Sequence, residues 1–237
     1  MIQFYSPDVK DTLTLGPEES GHCVRVLRKK AGDIIFVTDG KSRRYECVIT
    51  DANPRGVNLE VVKSWHVAKG WEGEITLAVA PTKNADRMSW LVEKCTEMGV
   101  DRICFIKCDH SERKHLNAER LRRIAASAMN QSLKTRIPEI SEMVSLDEIK
   151  DRPGKKYFGY CDAAEERKEF SKELMGSASD IITVVIGPEG DFSREEAERM
   201  KAAGFEAVTF GKERLRTETA ALYGIAAIHA IENAKER

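Results

Sequence analysis

The sequence predicts two folds in one chain: a small N-terminal β-barrel, then a mainly parallel α/β sheet with helices on both faces. Residues 1–69 contain several short strands joined by turns, a density of strands that is typical of a small barrel. From Glu74 onward, buried-type strands alternate with helical patterns over about 165 residues, which indicates a parallel sheet. The stretch WHVAKGWEGE, residues 65–74, fits neither pattern and is the predicted linker.

The elements of the first region are short. Apolar and polar residues alternate on both sides of Asp39-Gly40 in DIIFVTDGKSRRYECVITDA, which predicts a β-hairpin. RGVNLEVVKSW supplies a further strand. Ahead of them, GHCVRVLRKKAGD predicts a short helix or turn in which Arg25 and Arg28 share one face.

In the second region, predicted strands alternate with predicted helices along the chain. Strands are predicted at EITLAVAPT, RICFIKC, KKYFGYC, DIITVVIG and AVTFG. Between and after them, helices are predicted at ADRMSWLVEKCTEMGV, AERLRRIAASAMNQSLK, SREEAERMKAAGF and ETAALYGIAAIHAIENA. Gly99 ends the first of these helices, and Ser193 with Glu196 forms a capping box at the start of the third.

Composition restricts the class of protein. The net charge is −1, but residues 102–136 hold 9 Lys/Arg against 3 Asp/Glu, whereas residues 137–237 hold 15 against 21. A basic middle segment of this kind is compatible with a nucleic-acid partner. No apolar run approaches the roughly 20 residues that span a membrane, and the N-terminus has no signal-peptide pattern. The six cysteines form no CxxC pair, so we expect a reduced, cytoplasmic protein without a structural metal.

Three predicted strands end in loops that should meet. YFGYC ends before Asp162, VVI before Gly187 and VTF before Gly211. Since ligands of parallel sheets bind at the carboxyl ends of strands, these loops predict one pocket. The GPEG turn after the second strand lacks the lysine of a phosphate loop, and its main-chain groups suit a heterocycle edge or a ribose. Alternatively, it is only a turn between a strand and a helix.

The third loop, FGKERLRTETAAL, favours a binding role. Thr217 as an N-cap and Glu218 as a first-turn acid would explain those two residues as helix-start features alone. That interpretation leaves Arg214 and Arg216, on either side of Leu215, without a purpose.

The ordered motifs resemble a known family. VVIGPEGDFSREE followed by LRTETAAL is similar to the paired cofactor loops of the SPOUT, or α/β-knot, methyltransferases. HCVRVLR, FVTDG, WLVEKCTEMGV, SERK and NQSLKTRIPEI resemble, in order, the motifs of its bacterial 16S ribosomal RNA (uracil-N3)-methyltransferase branch. The resemblance covers residues from about 20 to about 230. It departs from the family at Asp191, where the family usually has glycine, and at Asn130-Gln131, where it usually has Glu-Gln.

The resemblance implies an architecture and a cofactor. It implies a PUA-like RNA-binding barrel over residues 1–69 and a trefoil-knotted methyltransferase domain over 73–237, acting as a homodimer with S-adenosyl-L-methionine. Asp tolerates left-handed dihedrals, so the turn can survive the change at Asp191. Carried over by motif, the cofactor would contact Ile186, Gly187, Gly190, Phe210, Gly211, Leu215, Thr219 and Ala220.

The implied reaction is methylation of N3 of one uridine in 16S rRNA of the small subunit. Removing the imide proton requires an acceptor, and the resulting anion is stabilised by a cation near its oxygens. Arg216 and Glu218 are the candidates for these catalytic roles, with a helix-start charge or a dimer contact as the alternative for Glu218. The candidates for RNA binding, each of which alone could be a solvated polar side chain, are Arg25, Arg28, Arg44, Arg113, Lys114, Arg123 and Gln131.

Other functions stay open at this point. A non-catalytic RNA-binding protein would need only the barrel and the basic helix. A different SPOUT enzyme would methylate a ribose 2′-oxygen or a tRNA base. A nicotinamide-dependent dehydrogenase is disfavoured because no GxGxxG follows a strand.

Overall fold

A computed structural model describes residues 2–162, 167–177 and 179–235 of the 237-residue chain. The chain divides into two units. The first unit runs to Gly70 and also takes Ala126–Ile137, whereas the second contains Trp71–Ala125 and the residues from Pro138 onward.

The first unit is built on a four-stranded sheet. Its strands are β1 (Gln3–Tyr5), β2 (Ile34–Thr38), β3 (Arg43–Asp51) and β4 (Asn58–His66), hydrogen-bonded in that order. β1 is parallel to β2, and the other pairs are antiparallel. The predicted hairpin is confirmed, since Thr38 pairs with Arg44 across the turn that contains Gly40. β4 continues to His66, so the linker begins later than predicted.

Short helices precede β2. They are α1 (Val9–Thr12) and α2 (Pro17–Gly21), and α2 continues into one π-helical turn at His22–Val26. The core of the unit contains Phe4, Val37, Cys47 and Ile49, all at most 1% exposed. β1 and α1 were not predicted, because each is too short for its apolar residues to show a period.

Residues 126–137 complete this unit. The Ser42 amide donates to the Thr135 carbonyl (2.7 Å), and the Gln3 side chain donates to the Lys134 carbonyl (2.7 Å). The Ile137 amide donates to the carbonyl of Gly40 at the hairpin turn (3.1 Å). A segment distant in sequence therefore satisfies polar groups at one end of the β2–β3 hairpin.

The second unit contains a seven-stranded, wholly parallel sheet. In chain order the strands are β5 (Glu74–Val79), β6 (Arg102–Lys107), β7 (Glu139–Ser145), β8 (Lys155–Gly159), β9 (Lys168–Glu169), β10 (Ile181–Ile186) and β11 (Glu206–Thr209). Their order in the sheet is β7-β6-β5-β10-β8-β11-β9, and every pair is parallel. The predicted parallel α/β sheet is confirmed. β7 and β9 were missed because they are edge strands rich in polar residues.

Helices cover both faces of this sheet. They are α3 (Ala85–Met98), α5 (Phe170–Gly176), α6 (Arg194–Ala202) and α7 (Thr217–Lys235), whereas a further helix, α4 (Ala118–Gln131), begins in this unit and has its residues from Ala126 onward in the first unit. Val185 of β10 packs in one cluster with Met200 of α6, and its neighbour Val184 faces Gly224 of α7. Successive residues of a strand point to opposite faces, so α6 and α7 lie on opposite sides. Within the described residues, no helix has the length and apolarity to span a membrane.

Local signals explain two of these helices. α3 begins after Asn84, whose side chain accepts from the amides of Asp86 and Arg87, and ends at Gly99 with φ 110°. The predicted capping box of α6 is confirmed, because Ser193 and Glu196 each accept a hydrogen bond from the other's amide.

Candidate functional site

The three predicted loops meet at the carboxyl edge of the second unit's sheet. β8 lies between β10 and β11, so the ends of these strands are adjacent. A Cβ added to Gly159 would lie 2.7 Å from the Phe210 ring and 3.5 Å from Ile186. The Thr217 hydroxyl donates to the Gly187 carbonyl (3.2 Å), which joins the third loop to the GPEG turn. The structure therefore brings together Ile186, Gly187 and Phe210.

The GPEG turn depends on both of its glycines. Gly187 and Pro188 are buried, whereas Glu189 and Gly190 are exposed. A Cβ on Gly187 would lie 2.9 Å from the ring of Phe192, and one on Gly190 would lie 3.1 Å from His110. Larger residues would force these neighbours to move, so the turn needs glycine for close packing, although neither glycine has a positive φ.

Asp191 adopts the left-handed conformation that the sequence allowed. Its φ is 62°, and its amide donates to the Pro188 carbonyl (2.9 Å) to close the turn. One carboxylate oxygen accepts from the Phe192 amide (2.9 Å) and the other from the Cys161 amide (2.8 Å). Asp191 thus bridges the loop after β8 and the turn after β10, a role that the sequence did not suggest.

A fourth loop, after β6, braces the same turn. Glu196 of α6 is 1% exposed and accepts from the Asp109 amide (2.9 Å), and the Ser193 hydroxyl donates to the Asp109 carboxylate (2.6 Å). His110 Nδ1 lies 3.1 Å from the Gly190 carbonyl oxygen and 3.0 Å from that of Asp191. Both partners only accept, so this nitrogen carries the proton.

The third loop presents a buried carboxylate. Gly211 has φ 106°, Leu215 is half-buried and Arg216 is exposed. Thr217 is the first residue of α7, and its hydroxyl donates to the Gly187 carbonyl. Glu218 is 8% exposed, and its Oε2 is buried without a hydrogen-bond partner in the described part of the chain.

Arg87, on the first turn of α3, is the cation that faces Glu218. Its Nε lies 3.5 Å from Glu218 Oε1, and its Nη1 lies 3.6 Å from Glu189 Oε1. The described residues show no ion pair for Arg216, and its predicted catalytic role stays a prediction. A signal for Arg87 existed: cations are unfavourable at helix N-termini, which indicates a tertiary partner.

The remaining cofactor candidates differ in exposure. Ala220 is buried at 9% exposure, and Thr219, one turn into α7, is exposed. Gly190 is exposed at the tip of the turn.

The candidates for RNA binding in the first unit are not equivalent. Arg25 and Gln131 are exposed. Arg28 is exposed but lies beyond the helical turn with φ 54°, so the predicted shared helix face with Arg25 is wrong: the chain leaves the helix at Leu27. Arg44 donates to Gln3 (2.9 Å) and to the Leu133 carbonyl (2.6 Å), and burial lowers its pKa.

The RNA-binding candidates in the second unit also differ in whether they are exposed or bonded to the protein's own carbonyls. Lys114 and Arg123 are exposed, and Arg123 Nη2 lies 3.8 Å from Oε1 of Glu119, one helical turn away. Arg113 donates to the Thr82 carbonyl (3.0 Å) and to that of Lys83. Its guanidinium therefore fixes the loop that precedes α3.

The chain matches two protein families. The family described as "RNA methyltransferase domain" matches residues 69–229, and the family described as "RNA methyltransferase PUA domain" matches residues 15–62.

Individual relatives agree with these matches. The structure of a probable rRNA-methyltransferase from Porphyromonas gingivalis has a TM-score of 0.94 and 39% identity, covering 99% of this chain and 100% of that one. A ribosomal RNA small subunit methyltransferase E from Neisseria gonorrhoeae, bound to S-adenosyl methionine, has a TM-score of 0.79 and 26% identity, covering 98% of each chain. The curated Ribosomal RNA small subunit methyltransferase E of Mycobacterium bovis is 26% identical over 232 residues, covering 94% of this chain and 87% of the relative.

Proposed function

We propose that this chain, which belongs to the RNA methyltransferase family, transfers a methyl group from S-adenosyl-L-methionine to N3 of one uridine in small-subunit ribosomal RNA. The resemblance drawn from the sequence motifs is confirmed at the level of the family. Relatives named as small-subunit rRNA methyltransferases align over nearly the whole chain, and one of them was solved with S-adenosyl methionine bound. The observation that carries the proposal is the meeting of three loops around the glycine-rich turn.

The residues at these loops fit that cofactor. Gly187 and Gly190 carry no side chain, so the main chain of this turn is proposed to face the edges of an adenine or a ribose. Buried Ile186 and half-buried Leu215 offer apolar contact. The residues proposed to hold the cofactor are Ile186, Gly187, Gly190, Phe210, Gly211, Leu215, Thr219 and Ala220. When bound, S-adenosylmethionine supplies an activated methyl group to an attacking nucleophile.

The chemistry proposed for this chain is proton removal and charge stabilisation. Glu218 accepts the N3 proton of uracil, for which its unpartnered Oε2 is suited as an acceptor. Arg216 is exposed beside it in sequence and stabilises the charge that develops on the uracil oxygens. Arg87 keeps the other oxygen of Glu218 engaged and so fixes the carboxylate.

Single-turnover kinetics test these roles. We expect Arg216→Ala and Glu218→Gln each to slow methyl transfer by at least about 100-fold, the usual size of a general acid–base or electrostatic contribution. Lys212→Ala, which removes an exposed cation from the same loop, is the matched control. Normal rates in both variants would leave Glu218 as a helix-start charge or a dimer contact.

The RNA is proposed to bind through exposed cations. Arg25, Arg28, Lys114 and Arg123 are the phosphate-contacting candidates, with Gln131 at the end of α4. Arg44 and Arg113 act chiefly on the protein's own carbonyls, and through them on the shape of the surface. Replacing Arg25 and Arg28 together by alanine should reduce the salt dependence of RNA binding by about two phosphate contacts. An unchanged slope would exclude these two residues.

The finer architecture is also part of the proposal. We assign residues 1–69 to a PUA-like RNA-binding barrel and 73–237 to a SPOUT domain with a trefoil knot, working as a metal-independent homodimer in the cytoplasm. The two family matches support the division into a PUA domain and a methyltransferase domain, and the knot, the dimer, the metal independence and the location rest on the motif resemblance alone.

One experiment distinguishes this reaction from the alternative functions. Small subunits from a strain that lacks the gene are incubated with the protein and methyl-labelled S-adenosylmethionine, and the label is mapped by nuclease digestion and mass spectrometry. The expected product is N3-methyluridine at one position of the small-subunit rRNA. Label on a ribose or on tRNA would identify a different SPOUT activity. RNA binding without label, and without a change of melting temperature on adding the cofactor, would identify a non-catalytic protein.

A further inference from the structure

All the polar groups of Asp191 have partners, and two of them join the GPEG turn to other loops of the proposed cofactor site. Its amide closes the GPEG turn on Pro188 (2.9 Å), and its carbonyl oxygen lies 3.0 Å from His110 Nδ1. Its two carboxylate oxygens accept from Phe192 (2.9 Å) and from Cys161 (2.8 Å). Among the described residues, the bond to Cys161 is the one by which the Asp191 side chain reaches the loop of another strand.

The position of Cys161 gives that bond its importance. The Tyr160 amide still donates to the Val208 carbonyl of β11 (3.2 Å), so Cys161 is the next residue beyond the sheet ladder. Its amide has no strand partner there and would otherwise depend on water. A carboxylate acceptor makes a stronger hydrogen bond than a neutral one, so the start of the loop after β8 is fastened to the GPEG turn.

The GPEG turn is consequently held on several sides. The loop after β8 is attached through Asp191, the loop after β11 through the bond from Thr217 to Gly187, and the loop after β6 through His110. The left-handed φ of 62° at Asp191 disfavours most non-glycine residues, and here it accompanies a side chain whose two oxygens are both used.

We propose that Asp191 is a positioning residue of the methyl-donor site: its carboxylate fastens the chain at Cys161, directly after β8, to the GPEG turn, so the cradle for S-adenosylmethionine is formed before the ligand arrives. This inference rests on the proposed function for the identity of the ligand. A preformed site binds more tightly because less chain must be ordered on binding. Asp191 contributes to affinity by holding main chain in place, without a role in the transfer of the methyl group.

The test compares three variants of the full chain. Asp191→Gly keeps the left-handed backbone and removes the carboxylate. Asp191→Asn tolerates the same backbone and keeps one acceptor oxygen for the Cys161 amide. Glu195→Gln neutralises an exposed carboxylate on the first turn of α6 and is the matched control. Affinity for S-adenosylmethionine is measured by titration calorimetry well below each melting temperature, together with KM and kcat.

We expect Asp191→Gly to bind S-adenosylmethionine about tenfold more weakly and to raise KM for it by a similar factor, with kcat reduced much less. Asp191→Asn should recover part of the affinity, and Glu195→Gln should bind as the original protein does. A purely structural role would lower the melting temperature of Asp191→Gly without changing affinity, and that result would overturn the proposal. If Asp191→Gly does not fold, an Asp191→Asn variant whose Cys161 amide exchanges faster and which still binds S-adenosylmethionine as the original protein does would overturn it.

Amide hydrogen exchange without ligand gives an independent readout. The Cys161 amide should exchange faster in Asp191→Gly, and unchanged protection would refute the proposed attachment. This measurement separates the two proposals. If the original protein bound no S-adenosylmethionine, the proposed function would fail, yet exchange at Cys161 would still decide whether Asp191 fastens the loop.

Discussion

Replacing Arg87 by alanine should destabilise the protein mainly through Glu218 and hardly at all through Glu189. The same guanidinium faces both carboxylates at nearly equal distances, 3.5 Å and 3.6 Å. The Glu218 side chain is 10% exposed, however, whereas that of Glu189 is 44% exposed. Because distance is almost constant, this arrangement isolates the effect of burial on an ion pair.

The two contributions can be calculated separately. At an effective dielectric constant of about 20, opposite charges 3.5 Å apart attract by about 5 kcal/mol, and in water those 3.6 Å apart attract by about 1 kcal/mol. Desolvation and side-chain ordering offset most of the first value. Because Arg87 is itself 34% exposed, the 3–5 kcal/mol typical of breaking a buried pair is an upper bound. We expect a coupling of about 1–2 kcal/mol with Glu218 and less than about 0.5 kcal/mol with Glu189.

Double-mutant cycles in urea measure these couplings. One cycle combines Arg87→Ala with Glu218→Gln and the other combines it with Glu189→Gln, each from free energies of unfolding at pH 7. Arg87→Lys, which keeps the charge, should retain part of the coupling. Equal couplings in the two cycles, or a larger one with Glu189, would show that burial does not govern this interaction.

Three further predictions concern packing, accessibility and pH. Gly187→Ala should lower the free energy of unfolding by about 1–3 kcal/mol and weaken cofactor binding, because its Cβ would lie 2.9 Å from an aromatic ring. Urea unfolding measures the first effect and calorimetric titration the second. Unchanged values would contradict the close packing of Gly187. Cys161 is exposed, whereas burial raises the pKa of Cys95 to about 12. Iodoacetamide should therefore label Cys161 before Cys95, and S-adenosylmethionine should slow the labelling of Cys161. Labelling of Cys95 first would contradict this prediction. A hydrogen bond from Lys168 lowers the pKa of Glu206 below its unfolded value, so the carboxylate stabilises the fold above the unfolded pKa and loses this effect as pH falls through the folded pKa. Glu206→Gln should therefore flatten the acid side of a plot of melting temperature against pH, and an unchanged acid side would refute the assignment.

The sequence predicted the fold where apolar periodicity was long enough to be read. The apolar residues of α3 and the buried run of β10 identify their elements without ambiguity. β9 has two residues and β7 has several exposed positions, so neither could be distinguished from a loop.

The site was predictable in position but only partly in its contacts. Parallel strands place their carboxyl ends together, so the meeting of the loops near Gly187 followed from topology. Arg87 and the bond from Asp191 to Cys161 depend on tertiary proximity between residues 131 and 30 positions apart, respectively. No local pattern encodes such pairs. For Arg87, only its unfavourable place at a helix N-terminus gave a hint.

The split first unit has a consequence for the order in which the chain matures. Gln3, Ser42 and Gly40 find hydrogen-bond partners in residues 134–137, and Arg44 finds one in Leu133. During synthesis from the N-terminus, the strands of this unit are made long before those partners leave the ribosome. A nascent chain that ends near residue 70 would have every strand of the first unit and still lack the groups that close one end of its hairpin. Stable folding of the first unit should therefore be delayed until β5, α3 and β6 of the second unit have also been synthesised.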